Sequence, residues 1–128
     1  MSDVEAPVLA AVRNCIGHLT LNRPSGLNAL TLPMVRLLQQ QLRSWDQDPE
    51  VVAVVLRAAG EKAFCAGASF DELIAIDNME KGKKFFLGFA KVINAMRKCP
   101  KLIIGRIQGK CVGGGVGLAS SVDYCIAT

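Results

Sequence analysis

The sequence predicts an α/β fold, because short apolar runs of strand length alternate with helical patterns that are apolar on one side. Residues 51–56 form a continuous apolar run, and residues 102–107 repeat the strand-like pattern. Such runs are typical of strands that are covered on both faces in a parallel or mixed sheet. With 128 residues in total, the chain is predicted to form a single domain over residues 1–128.

The first predicted element is a β-hairpin. Two aliphatic runs, residues 8–12 and 16–21, are separated by a short polar break, as hairpin strands usually are. In the second run Leu19 and Leu21 share one face, which we expect to be buried. His18, the only histidine, is on the opposite face. It is predicted to be a strand side chain with no chemical task, since no serine, cysteine or acid lies at an interpretable offset from it.

A loop and an amphipathic helix follow the hairpin. Residues 22–28 form a loop by their proline, glycine and asparagine content, and Thr31 with Pro33 signals the start of a helix. The helix is predicted to end near Pro49. Its apolar stripe has spacings of three, four and three residues: Val35, Leu38, Leu42 and Trp45.

Two later segments have the same predicted order of elements: a strand ends, a turn of small residues follows and a helix begins. The first turn is at residues 65–69, where Ser69 and Glu72 have the spacing of a capping box. The second turn is at residues 112–117 and contains three consecutive glycines. A last strand is predicted over residues 123–127. The helix between the turns is predicted from apolar positions at helical spacing: Phe85, Phe89, Val92 and Met96.

The two glycine and alanine turns suggest three roles. Backbone N–H groups at two strand-to-helix turns can converge on one oxygen as an oxyanion hole, where each donor typically contributes ~3 to 4 kcal/mol. Glycine-rich turns also bind phosphate, but neither GxxxxGK[ST] nor a GxGxxG followed by an acid in the right frame is present. Thirdly, the glycines can simply allow close packing of strand and helix. The residues alone leave the first and third roles open.

Composition narrows the class of protein. The net charge is +4 and the basic residues are interspersed with acids, which argues against nucleic acid as a partner. Five scattered cysteines with no CxxC pair argue against a zinc site or any other metal site, and against a disulfide framework. We therefore expect a reducing, cytoplasmic setting. No targeting segment is recognised, and no apolar run reaches the ~18 residues of a membrane span.

Three motifs, in matching order and spacing, resemble the enoyl-CoA hydratase/isomerase, or crotonase, superfamily. They are at residues 21–30, 62–68 and 109–123. The resemblance implies a crotonase-like spiral of ββα units, represented here by its N-terminal half. It also implies an acyl-CoA substrate, with coenzyme A as the carrier and no other cofactor. Members of this superfamily assemble as trimers or as hexamers made of two trimers, so a homo-oligomer is expected.

The same resemblance implies which residues form the site. The backbone N–H groups of Ala68 and Gly114 would hold the thioester carbonyl oxygen and stabilise an enolate. Four residues would lie against the bent coenzyme A: Arg23, Leu27, Ala66 and Gly67. Cys65 is at a variable family position and is expected to be inert, because no base is placed to form its thiolate.

The chain also departs from the family pattern. Hydratases place a first catalytic glutamate where this chain has Gly117, and their second glutamate would lie beyond Thr128. Residues 8–67 look closest to 3-hydroxyisobutyryl-CoA hydrolases, whereas residues 68–128 look more like methylglutaconyl-CoA or general enoyl-CoA hydratases.

Three functions are therefore expected. The main one is an acyl-CoA-binding enzyme of the hydratase or isomerase type, in fatty-acid or branched-chain amino-acid degradation. The alternatives are hydrolysis of 3-hydroxyisobutyryl-CoA and acyl-CoA binding without catalysis.

Overall fold

The computed structural model describes residues 6–128. The elements follow one another as three ββα units and a final strand, which agrees with the predicted repeat. A short 3-10 helix, Pro24–Gly26, lies in the loop before the first helix. The bounds are β1 (Val8–Arg13), β2 (Ile16–Leu21), α1 (Leu32–Asp46), β3 (Ala53–Ala58), β4 (Ala63–Cys65), α2 (Phe70–Ile74), α3 (Met79–Lys98), β5 (Leu102–Ile107), β6 (Lys110–Cys111), α4 (Gly114–Ser120) and β7 (Tyr124–Ala127).

The strands form two sheets. The larger sheet has the order β1-β2-β3-β5-β7, in which only the β1–β2 pair is antiparallel. The smaller sheet is the parallel pair β4–β6. Each of the second and third ββα units therefore contributes one strand to each sheet. The predicted α/β class is confirmed, and β5 has the bounds that the sequence predicts.

The β1–β2 hairpin has a two-residue turn. Asn14 and Cys15 both have positive φ, 53° and 64°, which is the conformation whose twist matches a right-handed hairpin. The turn fixes the register so that Arg13 faces Ile16. Leu19 and Leu21 consequently point into the core, as the alternation predicted.

The core lies between one face of the larger sheet and the helices. The buried strand residues alternate along β2, β3 and β5, and α1 and α3 pack over them with Val35, Leu38, Leu42, Val92 and Met96. The prediction that the third strand spans residues 51–56 and is covered on both faces is wrong. β3 begins at Ala53, and Val52 before it is exposed. The pleat turns alternate side chains of β3 outward, where they are only half-buried.

The N–H groups at the start of helix α1 all have hydrogen-bond acceptors. Thr31 is the N-cap, and its hydroxyl accepts from Met34 N–H at 3.3 Å. Pro33 has no N–H to satisfy. The N–H of Leu32 donates to the Glu72 carboxylate, at 3.0 Å from Oε1 and 2.9 Å from Oε2. Helix α1 is thus capped by a residue of α2, forty positions away in the chain.

That contact corrects the predicted capping box. Ser69 is the N-cap of α2, but its side chain makes no capping hydrogen bond. Glu72 points to α1 instead of back to the start of its own helix. There the negative charge stabilises the N-terminus of the fifteen-residue helix α1. None of the helices in residues 6–128 is long and apolar enough to cross a membrane.

Candidate functional site

The two small-residue turns meet at one edge of the β4–β6 pair. Because these strands are parallel neighbours, their carboxyl ends lie side by side, and both turns begin there. A β-carbon built on Gly67 would lie 3.3 Å from the Val112 carbonyl oxygen and 3.5 Å from the Gly114 nitrogen. One built on Gly113 would lie 3.5 Å from the Gly67 Cα. The two turns are therefore in backbone contact.

Glycine is required at these positions for two different reasons. Gly67 and Gly113 have φ of +100° and +55°, which side-chain-bearing residues rarely adopt. Gly114 and Gly115 instead lack space. A β-carbon on Gly114 would lie 2.6 Å from Phe89 Cε1, and one on Gly115 would collide with the Cys65 carbonyl oxygen. Close packing, one of the two roles left open by the sequence, is thus confirmed for Gly114 and Gly115.

Although these glycines pack closely, backbone N–H groups of the two turns can still act as hydrogen-bond donors. Leu30 and Ala68 form an isolated parallel bridge, in which Leu30 N–H donates to Gly67 O and Ser69 N–H donates to Leu30 O, both at 2.7 Å. Since hydrogen-bonding groups alternate sides along an extended chain, this bridge leaves the Ala68 N–H facing away from Leu30. Gly114 is the first residue of α4, where an N–H has no partner inside the helix.

Both N–H groups are free. Within residues 6–128, neither Ala68 N–H nor Gly114 N–H donates to a backbone or side-chain acceptor. Ala68 and Gly114 are both half-buried. Two unused donors in contacting turns are the arrangement that an oxyanion hole needs.

Hydrogen bonds hold the loop at residues 22–31 against the segment that joins β3 to β4. Asn28, which is 1% exposed, makes three side-chain hydrogen bonds. Its Nδ2 donates to Ala59 O at 2.9 Å and to Ala63 O at 3.0 Å, and its Oδ1 accepts from Arg23 N–H at 2.7 Å. The amide therefore joins the loop to the end of β3 and the start of β4.

The four residues expected to contact coenzyme A are brought together along this loop. The Ala66 N–H donates to Leu27 O at 3.0 Å, and Gly67 follows directly. Arg23 Nη1 donates to Ala29 O at 2.6 Å, so the guanidinium is partly committed to closing the loop. Leu27 has φ of 55°. Arg23, Leu27 and Ala66 are half-buried, while Gly67 is buried.

A surface pocket opens beside the same loop. It is lined by Pro24, Asn28 and residues 59–63 and has a volume of about 310 Å³. The pocket is next to the loop and the β3–β4 turn, not at the two free N–H groups.

Cys65 is next to the site but is chemically quiet. Its thiol is buried and makes a long contact, 3.8 Å, to Gly67 O. Burial raises the pKa of the Cys65 thiol to about 11, so the thiolate needed for nucleophilic attack is scarce at neutral pH. This agrees with the expectation that Cys65 is inert.

Neither position 117, nor Glu72, nor His18 supplies an acid–base group to the two donors. Gly117 is one turn after Gly114 in α4 and has no side chain, although a β-carbon there would meet nothing closer than Ile93 Cδ1 at 3.7 Å. Glu72 is committed to Leu32. His18 lies half-buried on the opposite face of the larger sheet, where burial, then Arg13 and Arg57, lower its pKa.

Sequence reasoning missed three residues that shape this region. Asn28 is predicted as a loop residue within the motif at residues 21–30, but not as the residue whose side chain holds the loop; the tolerance of asparagine for positive φ in turns, which it adopts here at 55°, is the signal that the sequence offers. Glu72 was paired with the wrong helix. Phe89 was predicted only as part of an apolar stripe, and no pattern in the sequence indicates that its ring contacts Gly114.

Comparisons with known proteins point in one direction. A sequence profile described as enoyl-CoA hydratase/isomerase matches residues 16–128. The mitochondrial 3-hydroxyisobutyryl-CoA hydrolase of Homo sapiens is 40% identical over 132 residues, covering 99% of this chain and 33% of that protein. The similarity to hydrolases therefore extends well beyond residues 8–67.

Solved structures show the same architecture. An enoyl-CoA hydratase/carnithine racemase from Magnetospirillum magneticum matches with a TM-score of 0.90 and 36% identity, over 97% of this chain and 47% of that chain. An enoyl-CoA hydratase from Rhodobacter sphaeroides matches with a TM-score of 0.88 and 38% identity, over 95% and 37%. This chain thus spans about a third of the curated relative and less than half of either solved chain.

Proposed function

The chain belongs to the enoyl-CoA hydratase/isomerase family, and on that premise we propose that it binds an acyl-CoA thioester and polarises its carbonyl group. The thioester oxygen lies between the N–H groups of Ala68 and Gly114. The observation that carries the proposal is the contact between the two turns at Gly67 and Gly114, together with the free N–H group that each turn offers.

These donors favour chemistry that builds negative charge on the carbonyl oxygen. Removing a proton from the carbon next to a thioester carbonyl moves charge to that oxygen and forms an enolate. Fixed N–H donors stabilise such an oxyanion more than the neutral carbonyl, so they lower the barrier and do not merely bind the substrate. A reaction of the hydratase or isomerase type uses this stabilisation.

Coenzyme A is proposed to lie along the loop. Leu27 and Ala66 are already joined by a hydrogen bond, and Arg23 and Gly67 flank them. This segment offers mostly backbone and only one charged side chain, so recognition through main-chain groups fits it. The neighbouring pocket of about 310 Å³ gives room for a bulky carrier.

Hydration additionally needs an acid–base group, and position 117 has none. Hydrolysis of a 3-hydroxyacyl-CoA such as 3-hydroxyisobutyryl-CoA is the second candidate. The identity of 40% with a hydrolase over 99% of this chain supports it. The same two N–H groups would then stabilise the oxyanion of a tetrahedral intermediate. Acyl-CoA binding without turnover is the third candidate.

The proposal also includes the oligomeric state, the cellular location and the cofactor requirement. We expect a homo-oligomer, a trimer or a hexamer, and a cytoplasmic protein that needs no cofactor besides the coenzyme A of its substrate. Sedimentation of the purified chain tests the first expectation directly.

Calorimetry with acetyl-CoA and with free coenzyme A tests the main proposal. Binding of the thioester to a protein shown to be folded by circular dichroism supports it, and no binding contradicts it. Two assays then separate the activities. Hydration removes the absorbance of a 2-enoyl-CoA without releasing coenzyme A, whereas hydrolysis releases a thiol that a thiol reagent detects. Binding with neither signal supports the non-catalytic candidate.

A further inference from the structure

The ring of Phe89 lies directly against one of the two proposed oxyanion donors. A β-carbon on Gly114 would be 2.6 Å from Phe89 Cε1 and 3.2 Å from Cζ. From standard bond lengths, Cε1 is therefore at most about 5 Å from the Gly114 nitrogen. A carbonyl oxygen bound at that nitrogen would place the first acyl carbons within reach of the ring.

Helix α3 holds the ring in place. Phe89 packs against Phe85, with ring centroids 5.5 Å apart, and Phe85 is itself buried. Phe89 also packs on the main core, but it is only half-buried. The ring is thus only partly covered by the core, and its Cε1 edge lies against Gly114 of α4.

The surface that α3 and α4 form around Gly114 is apolar. Ile93 lies one turn after Phe89 and faces Gly117, with its Cδ1 3.7 Å from where a β-carbon would be. Val112 and Val116, on either side of Gly114, are about half exposed. An acyl group leaving the proposed oxyanion position would therefore meet hydrocarbon and aromatic groups.

We propose that Phe89 determines the size of the acyl group that this site accepts, and that the preferred substrates carry short aliphatic acyl groups. The inference rests on the proposed function, since it requires the thioester oxygen to lie at Gly114. The ring occupies the space next to the first acyl carbons, so long chains are excluded. A smaller side chain at position 89 opens that space without removing either N–H donor.

The test compares acetyl-CoA, butyryl-CoA and octanoyl-CoA by calorimetry for the unchanged protein and for Phe89→Ala. We expect the affinity for octanoyl-CoA relative to acetyl-CoA to rise by about tenfold or more, since one methylene in an apolar pocket already changes discrimination by about that factor. Phe86→Ala is the matched control. Phe86 is on the same helix and 59% exposed, and its removal should leave the ratio unchanged.

A second variant is used in case Phe89→Ala loses too much core packing to fold. If Phe89→Ala is unfolded by circular dichroism, Phe89→Leu keeps part of the core contact and is expected to raise the same ratio by a smaller factor. An unchanged ratio in a folded Phe89 variant, or an equal rise in Phe86→Ala, overturns the role of Phe89 while leaving acyl-CoA binding intact. Absence of acyl-CoA binding by the unchanged protein overturns both this inference and the proposed function.

Discussion

The amide nitrogen of Gly114 lies 3.5 Å from the point that a β-carbon on Gly67 would occupy. The two residues are 47 positions apart in the sequence, yet the parallel pairing of β4 and β6 places them side by side. This contact makes two turns into one site, and the proposed function depends on it.

Gly67→Ala is expected to damage both folding and binding. The residue has φ of +100° and its β-carbon would lie 3.3 Å from the Val112 carbonyl, so alanine strains the backbone by about 1–3 kcal/mol. Chemical denaturation measures this loss, and calorimetry should show weakened acyl-CoA binding. Gly117→Ala is the control for stability. It is inside α4 with no neighbour closer than 3.7 Å, and it should raise stability by up to about 1 kcal/mol. Equal stabilities for the two variants would contradict the account.

Asn28→Ala is expected to destabilise the protein by about 2–3 kcal/mol, because it removes one acceptor and leaves a buried and a part-buried carbonyl group without their donor. The Ala63 carbonyl, 3.0 Å from Asn28 Nδ2, is at the start of β4, so the site should loosen as well. Urea denaturation measures the loss. Asn94→Ala, on the exposed side of α3, should change stability by less than about 0.5 kcal/mol. A similar small effect at Asn28 would show that its hydrogen bonds do not hold the loop.

Glu72→Ala and Ser69→Ala separate the observed cap from the predicted capping box. Removing the Glu72 carboxylate takes the acceptor from Leu32 N–H, and we expect a loss of about 1–2 kcal/mol. Ser69 is buried but makes no side-chain cap, so Ser69→Ala should cost less than Glu72→Ala. Thermal unfolding of both variants, with the exposed Asp71→Ala as a control, distinguishes the two arrangements. A Ser69→Ala loss as large as that of Glu72→Ala would favour the capping box.

The thiol of Cys65 makes stability depend on alkaline pH. Burial raises its pKa from 9.0 to about 11, so the folded state holds this proton more tightly than the unfolded state does. The stabilisation is complete below pH 9 and is lost as the pH rises toward 11. The free energy of unfolding should therefore fall between pH 9 and pH 11, and less steeply in Cys65→Ala. Cys15→Ala, exposed in the hairpin turn, should retain the slope of the unchanged protein. An identical slope in Cys65→Ala would contradict this.

Local sequence patterns predict much of the fold. The stripe that contains Leu38 and Trp45 predicts α1, and the alternation of Leu19 and Leu21 predicts the buried face of β2. Those signals work because helix and strand geometry fix which residues along the chain point to the same face. These patterns predict the ends of a strand less well where the strand is only partly covered, as at Val52.

The contacts that shape the site cannot be predicted in this way. Asn28 reaches Ala63 across 35 residues, and Glu72 reaches Leu32 across 40. These pairings arise only when the ββα units stack, so no local period encodes them. The three glycines illustrate the limit. The sequence suggests donors or close packing, whereas the structure assigns tight packing to Gly114 and Gly115 and still leaves the Gly114 N–H free.

The most direct measurement is a nuclear magnetic resonance titration of the ¹⁵N-labelled protein with acetyl-CoA and, separately, with S-ethyl-CoA, a thioether that lacks the carbonyl oxygen. We predict that the amide protons of Ala68 and Gly114 move downfield with acetyl-CoA, because both N–H groups then donate to the thioester oxygen. S-ethyl-CoA should leave these two signals nearly in place while still shifting residues of the 22–28 loop. Equal shifts with both ligands, or no shift at Ala68 and Gly114, would contradict the proposed oxyanion site.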